Sequence, residues 1–231
     1  MPTFTHGKSA VIYQDANDLT NYLRSFSNAA EVDTAESTTF SDDDKTYVAG
    51  LSDATISAEG LFDSTFDGEM ATITGSGTKS LWSVYPAGDT VGNSGRGYSL
   101  DVTSAERSSD IGDVVMLTVE GQSSTGSEQI ISHHALAEVS ASGTATVYDG
   151  AAQTTNGGHA YVHVTAVSGT VVLMLEDSAD NVTYGDLQSL GTVTATGATR
   201  YAVTGTVERY TRITYDCTNG TATFVAGFGR A

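Results

Sequence analysis

Between Ala54 and Leu61 the side chains alternate in character. Thr55, Ser57 and Glu59 fall between Ala54, Ile56 and Ala58, and the pattern slips at Gly60. A period of two is that of a strand with one covered face. The slip at Gly60 predicts a β-bulge. The same grain recurs along the chain: residues 9–14, 20–27, 81–86, 98–107, 113–122 and 129–139 read as further strands, and 31–39 as extended. One short helix is expected over 67–75, with Asp67 capping its start and Gly75 ending it. Residues 89–97 read as a Gly-rich loop.

After residue 140 the segments shorten. Strands are expected over 144–148, 160–166, 170–176, 183–190, 200–203, 209–215 and 221–228. Turn chemistry separates them at Asn156-Gly157-Gly158, Ser168-Gly169, Asp180-Asn181 and Asn219-Gly220. That rhythm suggests a small β-sandwich. The reading is therefore all-β in two domains: residues 1–140, a sheet with one short helix, and residues 141–231, a small β-sandwich.

Composition supports this. Apolar residues make up 39% of 231, enough for a core, and the fill is Thr, Val, Gly, Ser and Ala, without Leu heptads. The net charge is −18, and residues 1–138 hold 21 acidic against 6 basic side chains while the rest holds 7 against 4. Duplex DNA carries about one negative charge per 1.7 Å. Such a surface repels nucleic acid, which suits a protein kept soluble by its acid or a wall that DNA slides past. Cys217 is the only cysteine, so no internal disulfide forms. No apolar run reaches membrane-spanning length, and no signal-peptide core is visible, which points to folding in a cytoplasm.

The candidate chemical motifs are weak. Gly75-Ser76-Gly77-Thr78-Lys79-Ser80 lacks the Gly directly before Lys that a phosphate loop needs. His133 and His134 point to opposite faces of a strand, and His159 and His163 share a face about 13 Å apart, too far for joint ligation. Asp42-Asp43-Asp44, and Asp177, Asp180, Asn181 and Asp186, miss the spacing of an EF-hand calcium loop. No Gly-x-Ser-x-Gly elbow occurs. Nothing points to an enzyme, a cofactor or a metal.

The acidic Thr-rich loop leading into Gly50-Leu51-Ser52-Asp53 and Gly60-Leu61-Phe62-Asp63 resembles the tail-tube proteins of siphovirus-like, long-tailed bacteriophages. Asp18 to Leu23, Pro86 to Asp89, Val102 to Ser104 and Ile111 to Val115 extend the resemblance. Asp177 to Asp180, Arg209 to Arg212 and Phe228 to Arg230 are similar to β-sandwich extensions of virion proteins. The resemblance implies a tail-tube-like, barrel-forming N-terminal sheet and an outward-facing C-terminal sandwich. It implies homohexameric rings stacked into a virion tail tube, assembled in the host bacterial cytoplasm with tape-measure, terminator and initiator proteins. DNA would pass without specific binding, and no membrane is involved. Thr39, Asp42, Asp43, Asp44, Lys45 and Tyr47 would form an assembly arm, with Gly50 and Gly60 as sheet corners. Asp53, Glu59, Asp63, Lys79, Arg96 and Arg107 would be lumen or interface charges. Two alternatives stay open: a capsid decoration protein, and a glycan-binding module built on Tyr148, Tyr161, Tyr184, Tyr201, Tyr210 and Tyr215.

Overall fold

The computed structural model describes residues 7–41 and 43–231. A 3-10 turn at Gly7–Ser9 leads into β1 (Val11–Gln14), β2 (Asn17–Asp18), β3 (Leu23–Glu36), β4 (Tyr47–Leu61), α1 (Ser64–Ile73), β5 (Lys79–Tyr85), β6 (Ser94–Ser108), β7 (Met116–Ser123) and β8 (Glu128–Val139). Then come β9 (Gly143–Thr144), β10 (Tyr148–Asp149), β11 (Gly158–Ser178), β12 (Gly185–Val193), β13 (Gly197–Val203) and β14 (Tyr210–Arg230). The fold is all-β with one short α-helix, as the alternation implies.

The chain forms two compact units. The first comprises residues 1–21, 81–97 and 128–231, and the second residues 22–80 and 98–127. Residues 7–21, 81–97 and 128–140, expected with the N-terminal part, thus lie with 141–231. The reason is pairing: β8 lies along β14 from Ile131↔Phe228 to Val139↔Ala222.

In the first unit β11 and β14 form a single long ladder from Gly158↔Arg230 to Ser178↔Tyr210. Residues 160–166 and 170–176 are therefore one strand, not two, and 210–215 runs on into 221–228. The expected turns at Ser168-Gly169 and Asn219-Gly220 sit opposite each other inside this ladder. Gly169 has φ +76°, and a Cβ there would lie 2.2 Å from the Asn219 carbonyl oxygen. A Cβ on Gly220 would lie 2.3 Å from the Ser168 oxygen. Glycine serves close backbone approach here, which strands also require. The ladder packs Leu173, Leu175, Leu190, Val207 and Phe224, all fully buried, into one cluster. Each such side chain contributes roughly 1.5–3 kcal/mol. The loop expected over 89–97 is shorter, because Ser94–Gly97 already pairs with β8.

In the second unit the strand order is β3-β4-β7-β6, all antiparallel. The alternation in β4 appears as expected: Ala54, Ile56 and Ala58 are buried, as are Leu117 and Val119 of β7 and Leu100 and Val102 of β6. α1 adds Phe66 and Met70 to the buried set. The helix starts one turn earlier than expected. Asp63, not Asp67, is its N-cap, accepting from the Thr65 and Phe66 amides at 3.0 Å. Asp67 sits within the first turn and pairs with Arg107 at 2.6 Å. The helix ends at Thr74, whose amide bonds the Met70 carbonyl, one residue short of Gly75.

Candidate assembly surface

Register decides which side chains of the second unit share its open face. Thr55, Ser57 and Glu59 lie opposite Gln122, Glu120 and Thr118 of β7, and Asp53 lies opposite Glu31 of β3. Directly opposed residues share a face. Across β7, Gln122, Glu120 and Thr118 face Asp101, Ser104 and Glu106 of β6, with a register shift between Val102 and Ser104. The open face thus gathers Glu31, Asp53, Glu59, Asp101, Glu106 and Glu120. Between them lies a shallow depression of about 440 Å³, lined by hydroxyl and amide side chains such as Ser27, Thr55, Ser57 and Gln122.

Little neutralises this acid. Gln122 donates to Asp53 at 2.8 Å. Lys79 pairs with Asp101 and donates to Ser124 at 2.6 Å. The Lys79 contact, then the Ser124 hydroxyl, hold the Asp101 carboxyl below its usual range. Glu31 and Asp53 stand directly opposed with like charge, an arrangement that costs stability and is tolerated only in solvent.

Beyond Ala54 the β3–β4 pair leaves its core. Residues 28–36 and 47–51 are exposed, so the hairpin runs on as a ribbon with solvent on both faces. An isolated two-stranded ribbon is at best marginally stable in water. This one displays Val32, Tyr47, Val48 and Leu51, the last 82% exposed. Among the described residues β3 pairs only with β4, so its outer edge is open, which natural proteins rarely leave unprotected.

The expected arm residues fall at the ribbon's tip. The Thr39 hydroxyl is 3.0 Å from that of Ser41, and Lys45 pairs with Glu36 at 3.0 Å. Asp43 and Asp44 are exposed in the bend, and Tyr47 opens β4. Asp42 lies outside the described residues. Gly50 and Gly60 both lie inside β4. The irregularity near Gly60 belongs to the partner strand, between Leu23 and Ser25. A Cβ at Gly60 would stand 2.4 Å from the Tyr22 oxygen, which accepts the Leu61 amide at 2.8 Å.

Of the expected charges, Asp53, Glu59 and Lys79 converge on the open face. Asp63 caps α1 and Arg107 is tied to Asp67 on the other side of the sheet. Arg96 belongs to the first unit, in the Ser94–Gly97 stretch. Glu31, Asp101, Glu106 and Glu120 were missed as site residues. For Glu120 the signal was present, because it occupies an outward position of the alternation Leu117, Val119, Gly121.

The first unit buries polar groups instead. His133 bonds the Ile131 carbonyl at 2.9 Å and the Thr211 hydroxyl at 2.7 Å. His163 bonds the Asp15 carbonyl at 3.1 Å and the Ser83 hydroxyl at 2.8 Å. In both rings the nitrogen facing the carbonyl must donate, which leaves the other to accept from the hydroxyl. Burial pushes each histidine down to about 4. Glu128 gathers Tyr161 at 2.5 Å and Arg200 at 2.9 Å. Burial opposes its charged form, but Arg200 and Tyr161 outweigh this and hold it below the usual carboxylate range. The tyrosines weighed as a glycan surface are largely committed: Tyr161 is buried, Tyr201 donates to the Leu190 carbonyl, and Arg212 and Arg209 lie over Tyr184 and Tyr210 at 3.6 and 4.8 Å. Among the described residues no His, Cys, Asp and Glu cluster has metal-site geometry, and no helix is long and apolar enough to cross a membrane.

No protein-family model and no curated protein matches the chain. Solved structures similar to it include chains of two gene transfer agent particles and a phage hub protein. A chain of the virion of a native gene transfer agent particle aligns at 17% identity over 55% of this chain and 98% of that one, with a TM-score of 0.47. A chain of the tail of an empty gene transfer agent particle, of C6 symmetry, aligns at 18% over 52% and 95%, with a TM-score of 0.44. The SPP1 Dit protein (gp 19.1), described as a paradigm of the hub adsorption apparatus in phages infecting Gram-positive bacteria, aligns at 12% over 96% and 99%, with a TM-score of 0.39.

Proposed function

We propose that this chain is a structural subunit of a phage-type tail, a non-enzymatic protein that forms homohexameric rings stacked into a tube for DNA. The second unit supplies the wall. Its sheets join edge to edge into a closed barrel, which removes the open β3 edge. The acidic face turns inward and repels DNA phosphates. The ribbon's tip, with Thr39, Asp43, Asp44, Lys45 and Tyr47, is the assembly arm. In this reading the second unit polymerises, and residues 141–231 belong to the first unit as the outward-facing part.

One observation carries this reading: a single sheet combines a face of six carboxylates with an unpartnered ribbon and an open edge. The quoted tail-tube-like motifs support it independently. Self-repulsion among acidic rings is screened within about 8 Å at physiological salt. Ring contacts must then rest on backbone pairing and on the ribbon's apolar side chains. Negative-stain electron microscopy of the concentrated protein, alone and with tape-measure and initiator components, should show six-fold rings or tubes. Deleting residues 40–48 should leave a folded monomer that forms neither. Occupancy of capsid lattice sites in place of rings would overturn the proposal in favour of decoration.

A further inference from the structure

The sheet of the second unit ends in an apolar group at both poles. At one, Phe40 stands on the ribbon's apex, fully exposed. At the other, the β6–β7 turn of residues 109–115 presents Ile111, equally exposed, with Val114 and Val115 about half exposed. Beside this turn is a depression of about 280 Å³ whose lining includes Arg24, Glu59, Ser108, Asp113, Val114 and Met116. Arg24 makes no ion pair among the described residues.

The two poles lie at opposite ends of β4, which pairs with Glu36 at Tyr47 and with Met116 at Leu61. Fifteen residues of strand span about 45 Å. One copy cannot bring its own poles together, whereas a second copy displaced along the strand direction can. We propose that the tip of one copy, residues 37–41 and 43–46, seats in the 109–115 depression of the next. Phe40 packs on Ile111 and Val114, Asp43 and Asp44 approach Arg24, and Lys45 approaches Asp110 and Asp113. This rests on the tube reading and names the surface its arm touches. Donor and acceptor differ, so the contact is heterologous, and every joined pair keeps one free tip and one free depression. Such a contact grows without limit along the sheet's strand direction.

The test uses the full chain with Phe40→Cys and Ile111→Cys introduced together. Both sites are fully exposed, and Cys217 is buried. Oxidation of assembled protein should give a ladder of three and more subunits on a non-reducing gel, while each single variant gives no ladder. Ile111→Asp should raise the concentration needed for assembly tenfold or more. Tubes that form normally from Ile111→Asp, or that give no ladder from the double variant, overturn this acceptor while leaving the tube reading intact. Absence of any assembly, with or without the other tail components, overturns both.

Discussion

The buried histidines make the stability of the first unit depend on pH in a calculable way. His133 and His163 are each 1% exposed, with both ring nitrogens hydrogen-bonded inside the protein, and burial disfavours the charged ring. Each titrates at about 4 in the folded chain, against an ordinary value of 6.5. A depressed histidine pKa means that the unfolded chain takes up protons first. Stability is therefore full above pH 6.5 and falls as pH drops through 6.5 towards 4. Linkage gives about 2 kcal/mol lost per histidine between pH 7 and pH 5, so about 4 kcal/mol for the pair. At 2–4 °C per kcal/mol, the melting temperature should fall by about 8–16 °C. Relief of self-repulsion in a chain of net charge −18 acts in the opposite direction. A single substitution separates the two effects. His163→Gln keeps a polar partner for Ser83 but does not titrate. Urea unfolding at pH 7, 6 and 5 should show a loss about 2 kcal/mol smaller in His163→Gln than in the parent chain. Parallel pH dependences in the two proteins would refute the argument.

Three further outcomes follow from particular contacts. Gly60→Ala places a methyl group 2.4 Å from the Tyr22 carbonyl oxygen, which is backbone and cannot swing away; overpacking of this kind should cost about 1–3 kcal/mol by chemical denaturation. Glu128→Gln leaves Arg200 and Tyr161 facing a neutral amide and should destabilise the first unit by about 1–3 kcal/mol, read as a lower denaturation midpoint with an unchanged slope. Reversing the open face with Asp53→Lys and Glu120→Lys should leave the fold within about 0.5 kcal/mol of the parent. The same pair should create salt-dependent binding to duplex DNA, measured by anisotropy at two salt concentrations, where the parent shows none.

How much of this was legible in the sequence depended on the range of the signal. The alternation in β4 is local and emerged residue for residue, with Ala54, Ile56 and Ala58 inward. The opposed directions of His133 and His134 followed from strand geometry alone, and the two rings do reach different partners, Thr211 and the Phe224 carbonyl. Glycine misled because it marks both turns and close backbone approach. At Gly169 and Gly220 the second role won, and that is decided by a strand some fifty residues away. The helix start was misplaced because Asp63 and Asp67 are both plausible caps. Only the geometry shows that Asp63 meets the free amides while Asp67 is drawn off by Arg107. The composition of the acidic face was legible in part. Asp53 and Glu59 lie in a strongly patterned strand, whereas Glu106 shares that face with Asp101 through a register shift in β6 that no local pattern announces.

The pairing of β8 with β14 also sets a timetable for synthesis. The second unit is complete once residue 127 has left the ribosome, because its strands all lie between residues 22 and 127. The first unit must wait for residues 210–230, about a hundred positions later. At roughly 5–20 residues per second that interval lasts about 5–20 seconds. Throughout it, the nascent chain offers a finished sheet with an open edge and a bare ribbon beside an unfinished core. Acid on that sheet's face then guards against premature association between neighbouring nascent chains.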